Sequence, residues 1–248
     1  MRESTKALAP RSRCLEVLDF RDGAVFEPSS GLFVARSGHR YSWSRGTSTL
    51  AGVNAVGGTY TAPATLPAYE SANSQLAVNL GVDDVVRGNA AVGWLPQELS
   101  GEILFVERGA RIGTAGGTLL AISGDDPTTG VRLFIDTTGT ASGFYRITYH
   151  NGSTSVSATL AAGQPTAGQL VRLRWLWSAA GLTLRQSING GAFTSATSGA
   201  LALPAAFAAG TRVRIGRRGL TQNPAPLTLL SLHLAPGTLT DAQLDEVW

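Results

Sequence analysis

The chain has 248 residues, of which 30 are glycine and only 15% are charged. This composition is typical of many short strands joined by tight turns, and it argues against a structure built on long helices. The formal net charge of +3 comes from arginines that are spread along the chain. A nucleic-acid groove needs clustered cations interleaved with exposed aromatic rings, so nucleic-acid binding is not expected.

The sequence lacks the signals that would send it through or into a membrane. Residues 1–10 have no apolar core of a signal peptide, and no stretch approaches the roughly 20 apolar residues of a membrane span. Cys14 is the only cysteine, so an internal disulfide or a thiol-based metal cluster cannot form. We therefore expect a protein that is made in a cytoplasm and has no membrane partner.

The first part of the chain, residues 1–74, is predicted to be an arm followed by an irregular β region. Residues 15–20 have the pattern of a first strand, and between residues 32 and 70 short apolar segments alternate with Gly, Pro and Ser. The remaining residues, 75–248, are predicted to form one β domain.

One motif of the N-terminal part carries a resemblance. Residues 41–49, Tyr-Ser-Trp-Ser-Arg-Gly-Thr-Ser-Thr, are followed by Gly57-Gly58 and Ala62-Pro63. The segment resembles the aromatic-Ser-Arg-x-Ser/Thr pattern that precedes lectin-like domains in virion proteins of tailed phages. An edge strand that exposes Arg45 would explain the same residues.

From residue 75 onward, strands are predicted in regular succession. Apolar runs or alternating apolar residues indicate strands at residues 91–96, 102–107, 119–122 and 131–135. Tyr145, Ile147 and Tyr149 then alternate with polar residues before Asn151-Gly152 turns the chain toward a strand at residues 154–160. An Asn-Gly pair suits the positive φ angles of a tight hairpin turn, so antiparallel pairing is expected.

The segment from residue 171 to residue 193 shows the clearest pattern of the chain. Val171, Leu173, Trp175 and Trp177 occupy alternate positions, which predicts a strand with one buried face. Residues 178–181 turn the chain into a second strand at residues 182–188, and Asn189-Gly190 begins the next turn. Near the end of the chain, Thr240 and Gln243 form a capping-box pattern, which predicts a short terminal helix.

The order of these elements resembles the concanavalin A-like lectin/glucanase fold in its laminin-G-like form. The resemblance covers residues 75–248. It rests on Trp94 before the strand at residues 103–106, the Arg-Leu-Arg-Trp strand, the Leu-Thr-Leu and Asn-Gly-Gly hairpin, and the Leu-Thr-Asp-Ala-Gln-Leu helix start. It implies an all-β protein, an antiparallel β-sandwich of the jelly-roll type, with an irregular N-terminal arm and a short C-terminal helix.

Catalytic patterns are missing from the sequence. Glycoside hydrolysis needs two carboxylates on one surface, about 5 to 9.5 Å apart. Glu102 and Glu107 lie at an odd spacing on one predicted strand, which sends them to opposite faces. His39, His150 and His233 are widely separated, and no nucleophile elbow, P-loop or dinucleotide fingerprint occurs. We therefore predict a protein that is not an enzyme and needs no cofactor.

A calcium site near Asp125 and Asp126 is left open. Lectin-like sandwiches often bind Ca²⁺ through loop carboxylates at the sheet rim. However, Gly-Asp-Asp-Pro is also ordinary turn sequence, and we assign no metal ligand.

Two sets of residues are candidates for binding. An exposed aromatic ring could stack on a sugar, and Trp43, Tyr60 and Tyr69 are the candidates in the irregular N-terminal part. A second set is predicted to line outward sheet faces and to meet acidic neighbours: Arg172, Arg174, Arg212 and Arg214.

Together these patterns predict a non-enzymatic virion structural protein of a tailed phage, associated with the capsid or tail and assembled in the host cytoplasm. Its expected partners are other virion proteins, in assembly, decoration or host attachment. A homo-oligomer is expected, and a trimer is suggested by analogy. The alternative is a lectin-like carbohydrate-binding module that recognises a glycan of the host surface.

Overall fold

The structure is a computed structural model, in which the described residues form 17 strands and one helix. The structure describes residues 16–19, 26–27, 32–35, 40–44, 69–72, 75–80, 84–87, 98–107, 117–124, 128–138, 144–204, 207, 211–216, 218 and 227–245. In chain order the elements are β1 (Glu16–Asp19), β2 (Phe26–Glu27), β3 (Leu32–Val34), β4 (Arg40–Ser44), β5 (Tyr69–Ala72), β6 (Gln75–Leu80), β7 (Asp84–Arg87), β8 (Leu99–Glu107), β9 (Thr118–Ser123), β10 (Val131–Thr137), β11 (Tyr145–Asn151), β12 (Ser155–Thr159), β13 (Leu170–Ser178), β14 (Gly181–Ile188), β15 (Thr194–Thr197), β16 (Arg212–Ile215), β17 (Leu227–Pro236) and α1 (Asp241–Asp245).

The strands form two antiparallel sheets that pack face to face, which confirms the predicted sandwich. Sheet A has the order β15-β14-β13-β8-β17-β6-β5, with β1 also paired to β17. Sheet B has the order β12-β11-β10-β9-β16-β7-β4-β3-β2. Within the described residues no helix is long and apolar enough to cross a membrane.

Strand β17 organises sheet A because its two edges have different partners. One edge pairs with β8 along its length, and a bulge lies between Leu229 and Ser231. On the other edge, Leu227 to Leu229 pair with β6, whereas Ser231 to Leu234 pair with β1. Strand β17, late in the chain, therefore holds the early strand β1 in sheet A.

The strands of residues 16–72 belong to both sheets. Strand β1 pairs with β17 and β5 with β6 in sheet A, while β4 pairs with β7 in sheet B. Hydrogen-bonded strands thus lie on both sides of the predicted boundary at residue 74, and the division into two parts stays a prediction. The strand predicted at residues 91–96, with Trp94, lies outside the described residues.

The core between the sheets follows the predicted alternation. On β13, Leu173, Trp175 and Trp177 are buried among the apolar side chains of both sheets. On β8, every residue is buried, but the two faces differ: Glu107 accepts a hydrogen bond from the core residue Tyr145, whereas Glu102 meets arginines on the outer face. The two carboxylates therefore face opposite sides, as predicted.

The two Asn-Gly turns differ in geometry. Asn189 and Gly190 have φ angles of 50° and 75°, and the Gly191 amide donates to the Ile188 carbonyl. This is the tight turn that the sequence predicts. At the other turn the side-chain oxygen of Asn151 accepts bonds from the amides of Ser153 and Thr154. That hairpin is also confirmed, but its turn is held by a side chain.

Helix α1 begins with the predicted capping box. The Thr240 amide donates to Oε1 of Gln243, and the Gln243 amide donates to Oγ1 of Thr240. Leu244 is the buried residue of the helix. The cap therefore fixes where the helix starts, and Leu244 anchors it to the sandwich.

Candidate functional site

The outer face of sheet A, opposite the core, carries a cluster of charged residues where α1 meets the sheet. Because side chains alternate along a strand, residues flanking the core positions of β8, β13 and β14 share this outer face. The ion-pair cluster consists of three arginines and three carboxylates: Glu102, Arg172, Arg174, Arg185, Asp241 and Asp245.

Glu102 is the buried carboxylate of the cluster. It lies opposite Arg174 on β13 and opposite His233 on β17, and its exposed fraction is 0%. Oε2 accepts bonds from Nε of Arg172 at 2.9 Å and Nε of Arg174 at 2.5 Å. Burial raises the pKa of the Glu102 carboxyl, although both arginines oppose that rise.

Arg174 connects sheet A to α1. Its exposed fraction is 1%; besides Glu102, it contacts Asp245 through Nη2 at 2.5 Å and Asp241 through Nη1 at 3.3 Å. Burial disfavours the charged guanidinium, but the bonds to Asp245 and Glu102 leave the pKa of Arg174 raised. Burial likewise opposes the charge of Asp245, yet the bond from Arg174 lowers the pKa of Asp245.

The other two arginines of the cluster reach solvent. The side chain of Arg172 is 26% exposed and bridges Glu102 and Asp245, with 3.1 Å from Nη1 to Asp245 Oδ1. Arg185 lies directly opposite Arg174 on the neighbouring strand. These like charges are accommodated because Asp241 pairs with both.

Residues of this cluster also line two grooves. One, of about 500 Å³, is lined by Leu176, Thr183, Arg185 and the segment from Thr238 to Ala242. The second, which we call the Phe193 groove, has a volume of about 410 Å³. Its walls include Leu104, Leu170, Arg172, Ser187, Phe193 and Asp245.

The outer face of sheet B carries a separate cluster around a buried carboxylate. Asp136 is 1% exposed and accepts two bonds from Arg146, each 3.1 Å long, and another from Arg218. Arg218 also lies over the ring of Phe134, 4.4 Å from its centroid. Burial, together with the nearby arginines, lowers the pKa of His150 on the adjacent strand.

The arginines predicted to bind partners are divided between these two sheets. Arg172 and Arg174 lie on β13 of sheet A, whereas Arg212 and Arg214 lie on β16 of sheet B. The acidic neighbours of Arg172 and Arg174 belong to their own chain. Arg214 is 0% exposed, and the side chain of Arg212 lies outside the description. A partner-binding role stays a prediction for the set.

The three predicted sugar-binding aromatics are not brought together by any described contact. Trp43 lies in β4, opposite Val85, and Tyr69 lies in β5, opposite Val78; only their backbones are described. Tyr60 lies outside the described residues. Their role stays a prediction.

Phe193 is an aromatic residue that the sequence analysis did not single out. It is half-buried, lines its groove, and lies 4.7 Å by ring centroid from the guanidinium carbon of Arg174. The sequence offers one signal, its position two residues after the Asn189-Gly190-Gly191 turn, because the contact with Arg174 joins residues on separate segments.

No metal site emerges from the described part of the chain, where no three His, Cys, Asp or Glu side chains are grouped to hold an ion. Asp125 and Asp126 lie outside that part, so the calcium question stays open. The absence of enzymatic activity stays a prediction. Glu102 and Glu107, on opposite faces of β8, cannot act together on one substrate.

Solved structures share the architecture of this chain. Domain 4 of AbnA, a GH43 extracellular arabinanase from Geobacillus stearothermophilus solved in complex with arabinotriose, aligns with a TM-score of 0.60 and 14% identity, over 95% of this chain and 98% of that one. The fold is a concanavalin A-like β-sandwich. Sequence comparison adds nothing to this, because no family model and no curated protein matches.

The same β-sandwich is found within larger proteins. Full-length tailspike protein 2 from an Escherichia coli O157:H7 bacteriophage, CAB120, aligns with a TM-score of 0.54 and 14% identity, over 71% of this chain but 25% of that one. The receptor-binding domain of botulinum neurotoxin mosaic serotype C/D gives 0.56 and 9% identity, over 96% of this chain and 51% of that one. These identities show a shared fold alone.

Proposed function

We propose that the protein is a non-enzymatic structural protein of a tailed-phage virion, and that its β-sandwich serves assembly, decoration or host attachment. The observation that carries this proposal is the state of the outer face of sheet A. Among the described residues of this face, the carboxylates are ion-paired with arginines of the same chain, which supports a preorganised binding surface rather than a carboxylate pair for hydrolysis.

The virion part of the proposal is supported by two independent similarities. Residues 41–49 resemble the motif that precedes lectin-like domains in tailed-phage virion proteins, and the sandwich aligns with a phage tailspike over 71% of this chain. In this role the protein meets other virion proteins, and it forms a homo-oligomer, which by analogy is a trimer.

Purified particles test the virion role directly. Mass spectrometry of gradient-purified virions from the source lysate should find this chain at a fixed stoichiometry to the major capsid protein. A phage replication protein from the same lysate is the negative control. If the chain stays in the soluble fraction with that control, the virion role is wrong. Light scattering of the purified protein measures the oligomer.

The non-enzymatic part has its own test. The purified protein is incubated with surface polysaccharides of the host, and reducing ends are measured over time. We expect no release above a heat-denatured sample. Release that scales with protein concentration would overturn this part of the proposal without affecting the virion role.

A second candidate function is recognition of a host-surface glycan. It is favoured by the similarity to arabinanase domain 4, which was solved in complex with arabinotriose and is covered over 98% of its length. A glycan array, screened with and without Ca²⁺, tests it. Specific binding of one glycan class supports a lectin-like module, and silence of the folded protein on the array contradicts it.

A further inference from the structure

We propose that the Phe193 groove is the carbohydrate-binding site, and that it holds a neutral sugar unit with adjacent hydroxyl groups. This inference rests on the second candidate function, glycan recognition, and assigns it to particular residues. The proposal concerns Phe193, whose side chain lines a groove. It does not replace the prediction for Trp43, Tyr60 and Tyr69, whose side chains are not described.

The ring of Phe193 is held in position from one side. The guanidinium carbon of Arg174 lies 4.7 Å from the ring centroid, and Arg174 itself is fixed by Glu102 and Asp245. The ring is half-buried and also lines the groove. A preorganised aromatic surface suits the apolar C–H face of a sugar ring, because little conformational entropy is lost on binding.

Hydrogen-bonding groups of both kinds lie at the same groove. Arg172 supplies N–H donors and Asp245 supplies carboxylate acceptors, with 3.1 Å between Nη1 and Oδ1. The side chains are 26% and 55% exposed, so a ligand reaches both. Two adjacent hydroxyl groups match this pair, since one accepts from the guanidinium while the other donates to the carboxylate.

Charge and volume narrow the class of ligand. In the ion-pair cluster three arginines balance three carboxylates, so the cluster is formally neutral. A neutral cluster gives an acidic sugar or a nucleic acid no net attraction. The groove volume of about 410 Å³ lies in the range of small-ligand sites, and Leu104 and Leu170 give it apolar walls. These properties favour a neutral sugar.

The shape of the groove depends on the hairpin turn beside it. Oγ of Ser187 donates to the Gly191 carbonyl at 2.5 Å, and the Asn189 amide donates to the Leu170 carbonyl at 2.8 Å. These bonds hold the turn against the neighbouring strand, which preorganises the groove wall that contains Ser187 and Gly191.

Calorimetric titration of the full chain tests the site with two neutral probes, arabinotriose and cellotriose, and one acidic probe, tri-galacturonic acid. We expect a neutral probe to bind and the acidic probe to bind more weakly. Phe193→Ala should weaken neutral-sugar binding about tenfold, which corresponds to about 1.4 kcal/mol, and Asp245→Asn should weaken it as well. Ser195→Ala, at an exposed position of β15, is the matched control and should leave the affinity unchanged.

Circular dichroism and a melting curve establish that each variant is folded. Amide chemical shifts of residues 187–193 and 245 should move when a neutral probe is added. If a neutral sugar binds but Phe193→Ala and Asp245→Asn bind it equally well, the groove is not the site, and glycan recognition stands. If the folded protein binds no neutral probe and is silent on the array, both are wrong. Tighter binding of the acidic probe would overturn the assignment of a neutral ligand.

Discussion

Glu102 and Arg174 lie directly opposite each other on β8 and β13, and both side chains are buried, with 2.5 Å between Nε of Arg174 and Oε2 of Glu102. A buried ion pair of this kind contributes little net stability when it is formed, because both charges lose their hydration. Losing one partner is far more costly, since the other charge stays buried. The pair therefore makes the outer face of sheet A sensitive to single substitutions.

Replacing Arg174 should destabilise the protein strongly. In Arg174→Met the Glu102 carboxylate keeps Arg172 but loses its buried partner, and the expected loss is about 3–5 kcal/mol in the free energy of unfolding. Arg185→Met is the matched control, because that side chain is 41% exposed and its ion pair should contribute at most about 1 kcal/mol. Urea denaturation of both variants measures the difference. Equal losses in the two variants would show that burial does not determine how much each arginine contributes to stability.

Gly101 should not tolerate a side chain. A Cβ atom there would lie 2.5 Å from the His233 carbonyl oxygen and closer still to the ring of Trp175. Gly101→Ala should therefore cost about 1–3 kcal/mol through overpacking. Gly199→Ala, where nothing lies within 4 Å of the added atom, should change stability by less than about 0.5 kcal/mol. Thermal unfolding measures the stability of the two variants. An unchanged stability of Gly101→Ala would mean that the neighbouring atoms shift to accommodate the added Cβ atom.

The strands around Trp175 could be predicted because their information is local. The period of two in residues 171–177 and 182–188 reflects one buried face, and the structure places strands at Leu170–Ser178 and Gly181–Ile188. The capping box at Thr240 is equally local, since its two hydrogen bonds span three residues. Such elements depend on neighbours that the sequence shows directly.

The candidate site could not be predicted because it depends on pairing between distant segments. Glu102 and Arg172 are 70 residues apart in sequence and meet because β8 lies beside β13 in the sheet. Alternation along the strand predicts that the arginines point outward. It identifies the face of a strand but not the element that covers that face. Here α1 supplies the acidic neighbours.

The first part of the chain looks irregular in sequence for a related reason. Strands β2 and β3 contain two and three residues, too few for a periodic pattern to stand out. Their place in sheet B comes from antiparallel pairing through β4 to β7. A strand defined mainly by its neighbours leaves a weak trace in sequence.

Loss of the capping box should release α1 before the sandwich unfolds. Thr240→Ala removes the oxygen that accepts the Gln243 amide bond, 3.2 Å long, and should destabilise the helix by about 1 kcal/mol. Hydrogen exchange at the Leu244 amide, which donates to the Thr240 carbonyl, should accelerate. The exposed residue Thr238 provides the control Thr238→Ala. Equal exchange rates in both variants would contradict a capping role for Thr240.

Acidification should weaken the protein through His150. Nδ1 of His150 lies 3.3 Å from Nη2 of Arg132, and because the guanidinium can only donate, the imidazole accepts this bond in its neutral form. Burial and the charges of Arg132, Arg218 and Arg146, only partly offset by Asp136, lower the pKa of His150 below its usual 6.5. As pH falls through 6.5, the unfolded chain therefore binds a proton that the folded chain does not, and the free energy of unfolding decreases.

His150→Gln removes this difference in proton binding. We expect urea denaturation at pH 7.5, 6.5 and 5.5 to show a smaller loss of stability for the variant than for the natural chain. An NMR titration of the His150 ring protons measures its pKa directly and separates this effect from the carboxylates that titrate at lower pH. Parallel pH profiles for the two proteins, or a His150 pKa at or above 6.5, would mean that burial and the neighbouring arginines do not hold the imidazole neutral.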